Sequence, residues 1–356
     1  MSVFLTPPPP PEAPSPDITV VVPVRNEGPY IEALLDDLRQ QDLAGASLEI
    51  LVVDGMSTDD TRERVRRRAI ADPRIHLLDN ARRLSSAARA LGTQHARGRY
   101  VAVVDGHCRV PSRRLLQDMV GLFERTGADC LARPQPLAPT AGGAWARAIA
   151  AGRTSRFGHS VASTIYDEHE HAVPPTSAGA MYRREVFERV GTFDPAFDAC
   201  EDVEFNWRCA AAGLSCWTSP ALAVLYEPRR SLGGLFRQMR RYGLGRARLH
   251  RKHPGAFTLE SLVPALFAAG LVPAVLGALL LPLPWRAAAA APLTLYLLLD
   301  VVASLVTAAR HGLLLFPLLL LVFPTIHLGL GLGYLQGRLT RAPAFAAAAS
   351  AGARPS

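Results

Sequence analysis

From Leu259 onward the chain is three long apolar stretches with almost no charge, and this run limits the fold more than any other feature. Leu259 to Pro282 is apolar except for Glu260 and Ser261 at its edge. Ala287 to Ala309 follows, with Asp300 inside it, and Gly312 to Leu335 is the third. Each is long enough to cross a bilayer, and a soluble core helix rarely runs so far without charge. Pro273, Pro317 and Pro324 are expected to interrupt the spans. Gly329 and Gly333 form a G-x-x-x-G step, which either lets helices pack closely or reflects composition alone. Asp300 has two readings: a functional intramembrane carboxylate, or a side chain set at a protein interface or beside Arg310.

Charge is dense up to about Lys252 and scarce after it, so the composition itself marks a domain boundary. The net charge of +8 raises nucleic acid as a partner, yet Lys252 is the only lysine among 39 basic residues. An arginine bias of this kind reflects codon composition more than a surface built for a polyanion, and no nucleic acid is expected. Position is more informative. Nine Arg or Lys residues and no carboxylate lie between Arg229 and Lys252, directly before the apolar region. Such a block suits the anionic inner face of a membrane, or else a solvated helix face. It would keep the preceding domain cytoplasmic in a multi-pass inner-membrane protein. Three spans would then leave Arg338, Arg341 and Arg354 outside, a conflict that a re-entrant segment would remove. Residues 1–16 form a proline-rich tail with no signal-peptide pattern, and the five cysteines form no C-x-x-C pair, which suits a reducing compartment.

Before the apolar region, buried strands alternate with amphipathic helices. Strands are expected over Ile18 to Pro23, Glu49 to Asp54, Ile75 to Leu78 and Tyr100 to Asp105, and helices over Tyr30 to Gln41, Thr58 to Ala71 and Leu84 to His95. This order predicts an α/β fold, a mostly parallel sheet that binds its ligand at the strand C-termini. The organisation expected is a tail over 1–16, the α/β domain over 17–230, a basic juxtamembrane segment over 231–257, transmembrane helices over 258–337 and a tail over 338–356.

Two carboxylates end predicted strands. Asp54 opens Asp-Gly-Met-Ser-Thr-Asp59 and can accept hydrogen bonds from a base or ribose, while Ser57 and Thr58 can cap the following helix. Asp105 and His107 stand two apart, so one turn can aim both at Mg2+ or Mn2+ alongside a diphosphate. Either carboxylate can equally be a turn residue. In Cys200-Glu-Asp-Val-Glu-Phe-Asn-Trp-Arg208, Glu201 and Asp202 sit at a predicted helix start, where the dipole keeps a carboxylate deprotonated and able to take a proton. Ordinary N-terminal acidity explains the same pattern. Asp167-Glu-His-Glu-His171 has a His-x-His step but no partner cysteine, and reads as a solvated or acceptor-side loop.

Order and spacing then decide. The set comprises Val20-Val-Val-Pro-Val-Arg-Asn-Glu27, the Asp54 motif, Ala96-Arg-Gly-Arg-Tyr-Val-Ala-Val-Val-Asp105, Ala178 to Asp194, Glu201-Asp202 and Gln238-Met-Arg-Arg-Tyr-Gly-Leu-Gly-Arg246. It resembles family 2 glycosyltransferases of the GT-A fold over roughly Ile18 to Leu249, and within them the succinoglycan-type exopolysaccharide glucosyltransferases. The resemblance implies an inverting, metal-dependent hexosyltransferase with a GT-A domain followed by an all-α transmembrane region. Pro23, Arg25, Glu27 and Asp54 would line the nucleotide pocket. Asp105 and His107 would hold Mg2+ or Mn2+, Asp202 would be the catalytic base, and Glu201 would stand beside it at the substrate. Gln238, Arg241 and Tyr242 occupy the place of a Q-x-x-R-W motif, with the arginine near diphosphate or acceptor. The donor would be a nucleotide sugar, UDP-hexose for preference, and the acceptor a lipid-linked saccharide presented at the membrane. Four positions depart from the family pattern: Gly55 replaces a second Asp, Ala90 an Asn, Tyr242 a Trp, and His107 the second Asp of D-x-D. Two other classes stay open. A nucleotidyltransferase would need a glycine- and lysine-rich phosphate loop, which the first strand lacks; a non-catalytic membrane scaffold or transport partner would not need Asp54, Asp105 and Asp202.

Overall fold

The structure, a computed structural model, describes residues 15–139, 143–159, 165–166, 168–177 and 179–340. Most of the N-terminal tail, Asp167, Ala178, Arg341 and Arg354 lie outside them. In chain order the strands are β1 (Ile18–Val24), β2 (Leu48–Asp54), β3 (Ile75–Asp79), β4 (Tyr100–Val103), β5 (Cys108–Arg109), β6 (Cys130–Ala132), β7 (His171–Ala172), β8 (Gly179–Arg183), β9 (Cys216–Thr218) and β10 (Leu225–Tyr226). The helices are α1 (Gly28–Arg39), α2 (Thr61–Ala71), α3 (Ser85–His95), α4 (Leu115–Thr126), α5 (Gly143–Thr154), α6 (Glu185–Val190), α7 (Glu201–Ala211), α8 (Leu232–Lys252), α9 (Val263–Leu280), α10 (Trp285–His311) and α11 (Phe316–Leu339). They fall into two compact units. Residues 15–136 and 165–226 make the first; 137–159 and 227–340 make the second, so α5 belongs with the apolar helices although it lies within 17–230.

The first unit is an α/β sandwich around a sheet of order β3-β2-β1-β4-β8-β6-β9-β7. β1 runs parallel to β2 and β4, and β2 to β3. β8 lies antiparallel between β4 and β6. Every residue of β1 and β2 is buried, as expected of strands covered on both faces. Side chains alternate across the sheet. Val20, Val22, Ile50 and Val52 pack with Leu34 and Leu38 of α1 on one face; Val21, Leu51 and Val53 pack with Ala88 of α3 and Phe205 of α7 on the other.

Two local expectations shift. β4 stops at Val103, so Asp105 stands in a turn beyond it, closed by the Cys108 amide donating to the Asp105 carbonyl at 3.0 Å. Gly106 lets that turn approach β1: a Cβ there would lie 2.7 Å from Val24 Cγ1. Ser57 and Thr58 do not cap α2, which begins at Thr61 after Asp60 and has no side-chain cap. Both instead bind Asn26 in the turn after β1.

The second unit contains three helical stretches long and apolar enough to cross a membrane: Leu259–Leu280, Trp285–His311 and Leu313–Leu339. Pro273 and Pro324 lie inside continuous helices, and Pro317 sits in the first turn of α11. None of the three divides its span. A proline in an apolar helix removes one backbone bond, and neighbouring helices make the loss tolerable. α9 and α10 are barely covered, with 6% and 11% of their apolar stretches buried, against 33% for α11. The difference lies in α8, against which α11 runs. A Cβ on Gly333 would come within 2.0 Å of the Arg240 carbonyl oxygen, and one on Gly243 within 2.0 Å of that of Leu330. The G-x-x-x-G step is therefore a packing device, extended by Gly337 against Ala247. Asp300 is 2% exposed and accepts from Ser304 Oγ at 3.4 Å. It sits at an internal interface, and among the described residues no ion pair joins it to Arg310.

Candidate active site

Beyond the C-terminal ends of β1 and β2, two turns lock together. Asn26, at φ 58°, accepts from the Thr58 amide at 2.8 Å, while its own amide donates to Ser57 Oγ at 2.9 Å. The Glu27 amide donates to Thr61 Oγ1 at 2.8 Å. Pro23 lies within buried β1, opposite Val53, and Arg25 donates to the Arg83 carbonyl at 3.2 Å. Asp54 is fully buried. It takes Ser57 Oγ at 2.5 Å on one oxygen and Arg62 Nη1 at 2.9 Å on the other. Its carboxylate thus organises the turn, so any contact with a base would be shared with Ser57 and Arg62. Gly55 fits closely here, since a Cβ would lie 3.3 Å from Arg25 Cβ and 3.4 Å from the Val24 oxygen.

The second part of the site centres on a residue that the sequence did not single out. Arg89 of α3 donates through Nη2 to Asp105 Oδ1 at 2.5 Å, and its Nε lies 3.4 Å from Glu201 Oε1. Burial alone would pull the Arg89 guanidinium down; the carboxylates of Asp105, Glu201 and Asp202 outweigh it and leave the pKa raised. Burial would likewise raise Asp105, but Arg89, then His107 and Arg133, hold it below the ordinary carboxylate range. In Glu201 burial wins: its pKa is raised, with Arg89 opposing and Asp202 adding to the rise.

Glu201 and Asp202 open α7 but point differently, because successive helical residues are turned by about 100°. Cys200, at φ 61°, turns the chain into the helix. Glu201 is buried against Arg89, whereas Asp202 is exposed, with Oδ1 accepting from the Val203 amide at 2.8 Å. The dipole at this helix start favours both charges.

His107 meets Glu27 Oε1 through Nδ1 at 3.0 Å, and Tyr226 stands edge-on with ring centroids 4.8 Å apart. The ring is therefore fixed in orientation, as the outer partners of metal-binding histidines commonly arrange. Among the described residues no group of three His, Cys, Asp or Glu side chains converges to hold a metal ion. One carboxylate and one imidazole on a single turn nevertheless suit a cation that completes its shell with diphosphate and water. Glu168 to His171 are exposed, and Glu170 pairs with Arg125 at 2.7 Å.

Arg133 was also missed. It follows β6, is 2% exposed, and donates through Nη1 to the Val103 carbonyl at 2.6 Å. Burial lowers its pKa, against the pull of Cys108 and Asp105. A lone arginine in an apolar run gives little warning of this. For Arg89 there was one signal, a charge between Ala88 and Ala90 on the helix face turned to the sheet. Gln238, Arg241 and Tyr242 all lie on α8 in the second unit. Gln238 is buried and donates through Nε2 to the Tyr242 hydroxyl at 3.2 Å; Arg241 is exposed.

Comparison with known proteins identifies the family. The profile of glycosyl transferase family 2 matches residues 19–191. The succinoglycan biosynthesis protein ExoA of Rhizobium meliloti is 34% identical over 280 residues, covering 75% of this chain and 79% of that one. A dolichyl N-acetyl-glucosaminyl phosphate diacetamido-dideoxy-glucuronosyltransferase of Methanococcus voltae is 24% identical over 340 residues, 90% of this chain and 96% of the other. In fold, the chain is similar to the mannosyltransferase PcManGT of Pyrobaculum calidifontis, solved with GDP-Man and Mn2+, at a TM-score of 0.55 and 23% identity over 94% of this chain and 90% of that one. With this profile match, the 34% identity to ExoA and a mostly parallel sheet, the chain belongs to glycosyl transferase family 2.

Proposed function

We propose that the chain transfers a hexose, with inversion, from a nucleoside-diphosphate donor to a membrane-presented, polyprenyl-linked saccharide during exopolysaccharide or cell-envelope glycan synthesis. The observation that carries this reading is Arg89. By touching Asp105 and Glu201 together it joins the carboxylate of the turn after β4 to the acidic start of α7. A single displacement needs the leaving diphosphate and the acceptor's base that close.

In this reading Asp202, the exposed member of the pair, takes the proton of the attacking hydroxyl. Glu201, held by Arg89, orients substrate beside it. Asp105 and His107 would hold Mg2+ or Mn2+, which when bound supplies positive charge for the departing diphosphate. Pro23, Arg25, Glu27 and Asp54 form the nucleotide side, with Ser57 and Arg62 sharing the work of Asp54. Arg241 is read as a cation for diphosphate or acceptor, in a motif completed by Gln238 and Tyr242. The dolichyl substrate in the name of the archaeal relative supports a lipid-linked acceptor, as do three helices able to cross a membrane. The domain before α8 is assigned to the cytoplasmic side of the inner membrane.

Asp202→Asn tests the base. It should abolish transfer from nucleotide sugars while leaving donor affinity within about twofold, because the base acts on the acceptor and not on the donor. Transfer at the wild-type rate would refute the assignment.

A further inference from the structure

A pocket of about 420 Å³ opens in the second unit, lined by His250, Pro254, Phe257, Leu262, Tyr334 and Arg338. It lies where the last turns of α8 and α11 meet the chain entering α9. Its two sides differ in chemistry. Phe257 and Leu262 make an apolar wall, with Phe257 43% exposed; Leu259 and Val263, near Leu262 in the chain at the entry to α9, are also largely exposed.

The other side is cationic. Arg338 lines the pocket, and Arg246 stands one turn before His250. After burial, Arg246 and Arg338 are the groups that lower the His250 pKa, so both guanidinium charges act on that imidazole. Among the described residues no salt bridge engages either arginine. Glu260 is the only carboxylate between Lys252 and Asp300.

The base of the pocket is built rather than incidental. His250 is 6% exposed, with Nδ1 3.0 Å from the Tyr334 hydroxyl, and Phe257 packs edge-on at 5.3 Å. Arg251 donates to the carbonyls of Gly337, Arg338 and Thr340, which closes the C-terminus of α11 and holds the backbone at Arg338.

A cationic rim over an aromatic and aliphatic wall, at the head of an apolar helix, matches an amphipathic anion. A soluble anion would leave the wall uncovered, and an uncharged lipid would leave two arginines without a counter-charge. We propose that this pocket binds the phosphate headgroup of an anionic glycerophospholipid, with Arg338 and Arg246 at the phosphate and an acyl chain along Phe257, Leu262 and α9. The proposal rests on α9 being embedded in the membrane, which carbonate extraction of membranes reports separately.

The test uses the full-length protein, delipidated in detergent, melted with phosphatidylglycerol, with phosphatidylcholine or with inorganic phosphate. Phosphatidylglycerol should raise the melting midpoint by at least about 3 °C, and the other two should not. Arg338→Gln combined with Arg246→Gln should remove most of the rise, and Phe257→Ala should reduce it. Arg310→Gln, an exposed arginine at the end of α10, should keep it. All the altered side chains are exposed, so the lipid-free midpoint should stay near wild type and validate each variant. An equal rise with phosphatidylcholine or with inorganic phosphate alone would overturn the proposal. So would a rise that survives in the double variant, or one lost equally in Arg310→Gln.

Discussion

Arg89 Nη2 lies 2.5 Å from Asp105 Oδ1, and the same guanidinium reaches Glu201 through Nε at 3.4 Å. One side chain from α3 thus bridges two carboxylates contributed by the turn after β4 and the start of α7. Removing one partner of a buried ion pair typically costs about 3–5 kcal/mol, because the remaining charge is left uncompensated. Arg89→Met should therefore lower both the melting midpoint and the rate of transfer, the latter by at least about 100-fold. Arg89→Lys, which keeps the charge but loses the fork, should recover part of the stability and little of the rate. Melting curves and initial rates check both, and an unchanged midpoint in Arg89→Met would disprove the pairing.

Chelation probes the turn that carries Asp105 and His107. Removal of divalent cations should weaken nucleoside-diphosphate binding by about tenfold or more, roughly 1.4 kcal/mol at least. Asp105→Asn should mimic chelation in the presence of Mn2+. His107→Ala should cost less, since an imidazole brings no negative charge to the cation. Titration calorimetry with UDP and GDP, with and without Mn2+, measures all of these; cation-independent binding in the wild type would contradict the metal reading.

The space around two helical glycines predicts different outcomes for a larger side chain. Gly333 leaves no room: its Cβ would meet the Arg240 carbonyl at 2.0 Å. Gly333→Val should destabilise by about 1–3 kcal/mol or more through overpacking. Gly270 of α9 has nothing within 4 Å, and Gly270→Ala should be neutral or stabilising by up to about 1 kcal/mol through helix propensity. Detergent melting of the two variants decides the matter.

Asp72, after α2, provides a pH dependence away from the site. Hydrogen bonds from Arg74, against burial and with help from Arg39, hold its carboxyl down to about 2 from an ordinary 3.8. Because the folded value is the lower one, the stabilisation is present above the unfolded pKa of about 4 and is lost as pH falls towards about 2. Solvent screening leaves on the order of 1 kcal/mol. Asp72→Asn should melt earlier than wild type at neutral pH, and the gap should shrink steadily below about pH 4. A gap that does not change with pH would reject this account.

Much of the fold was legible in the chain. The first three helices and four strands lie within three residues of their expected bounds, because burial alternates with a local period that the sequence records directly. Asp105, read as the last residue of a strand, sits in a turn, since Gly106 lets the chain pass close to Val24, an approach that a β-branched run does not reveal. The candidate site was legible as a set of acidic residues and only partly as an arrangement. Asp54, read as a ligand for the base, is also held by Ser57 and Arg62, contacts that depend on how two loops fold over each other.

By itself the sequence determined the alternation of elements, the mostly parallel sheet and the three helices able to cross a membrane. Periodicity, β-branching and long absences of charge act locally and need no partner to be read. The tertiary structure decided what depends on distant faces meeting. It placed Arg89 between Asp105 and Glu201, joined α5 to the apolar helices, and turned Gly329, Gly333 and Gly337 against α8. A charge or a glycine has no local signature of its neighbour, because the energy that fixes it arises only once the chain brings that neighbour within a few ångströms.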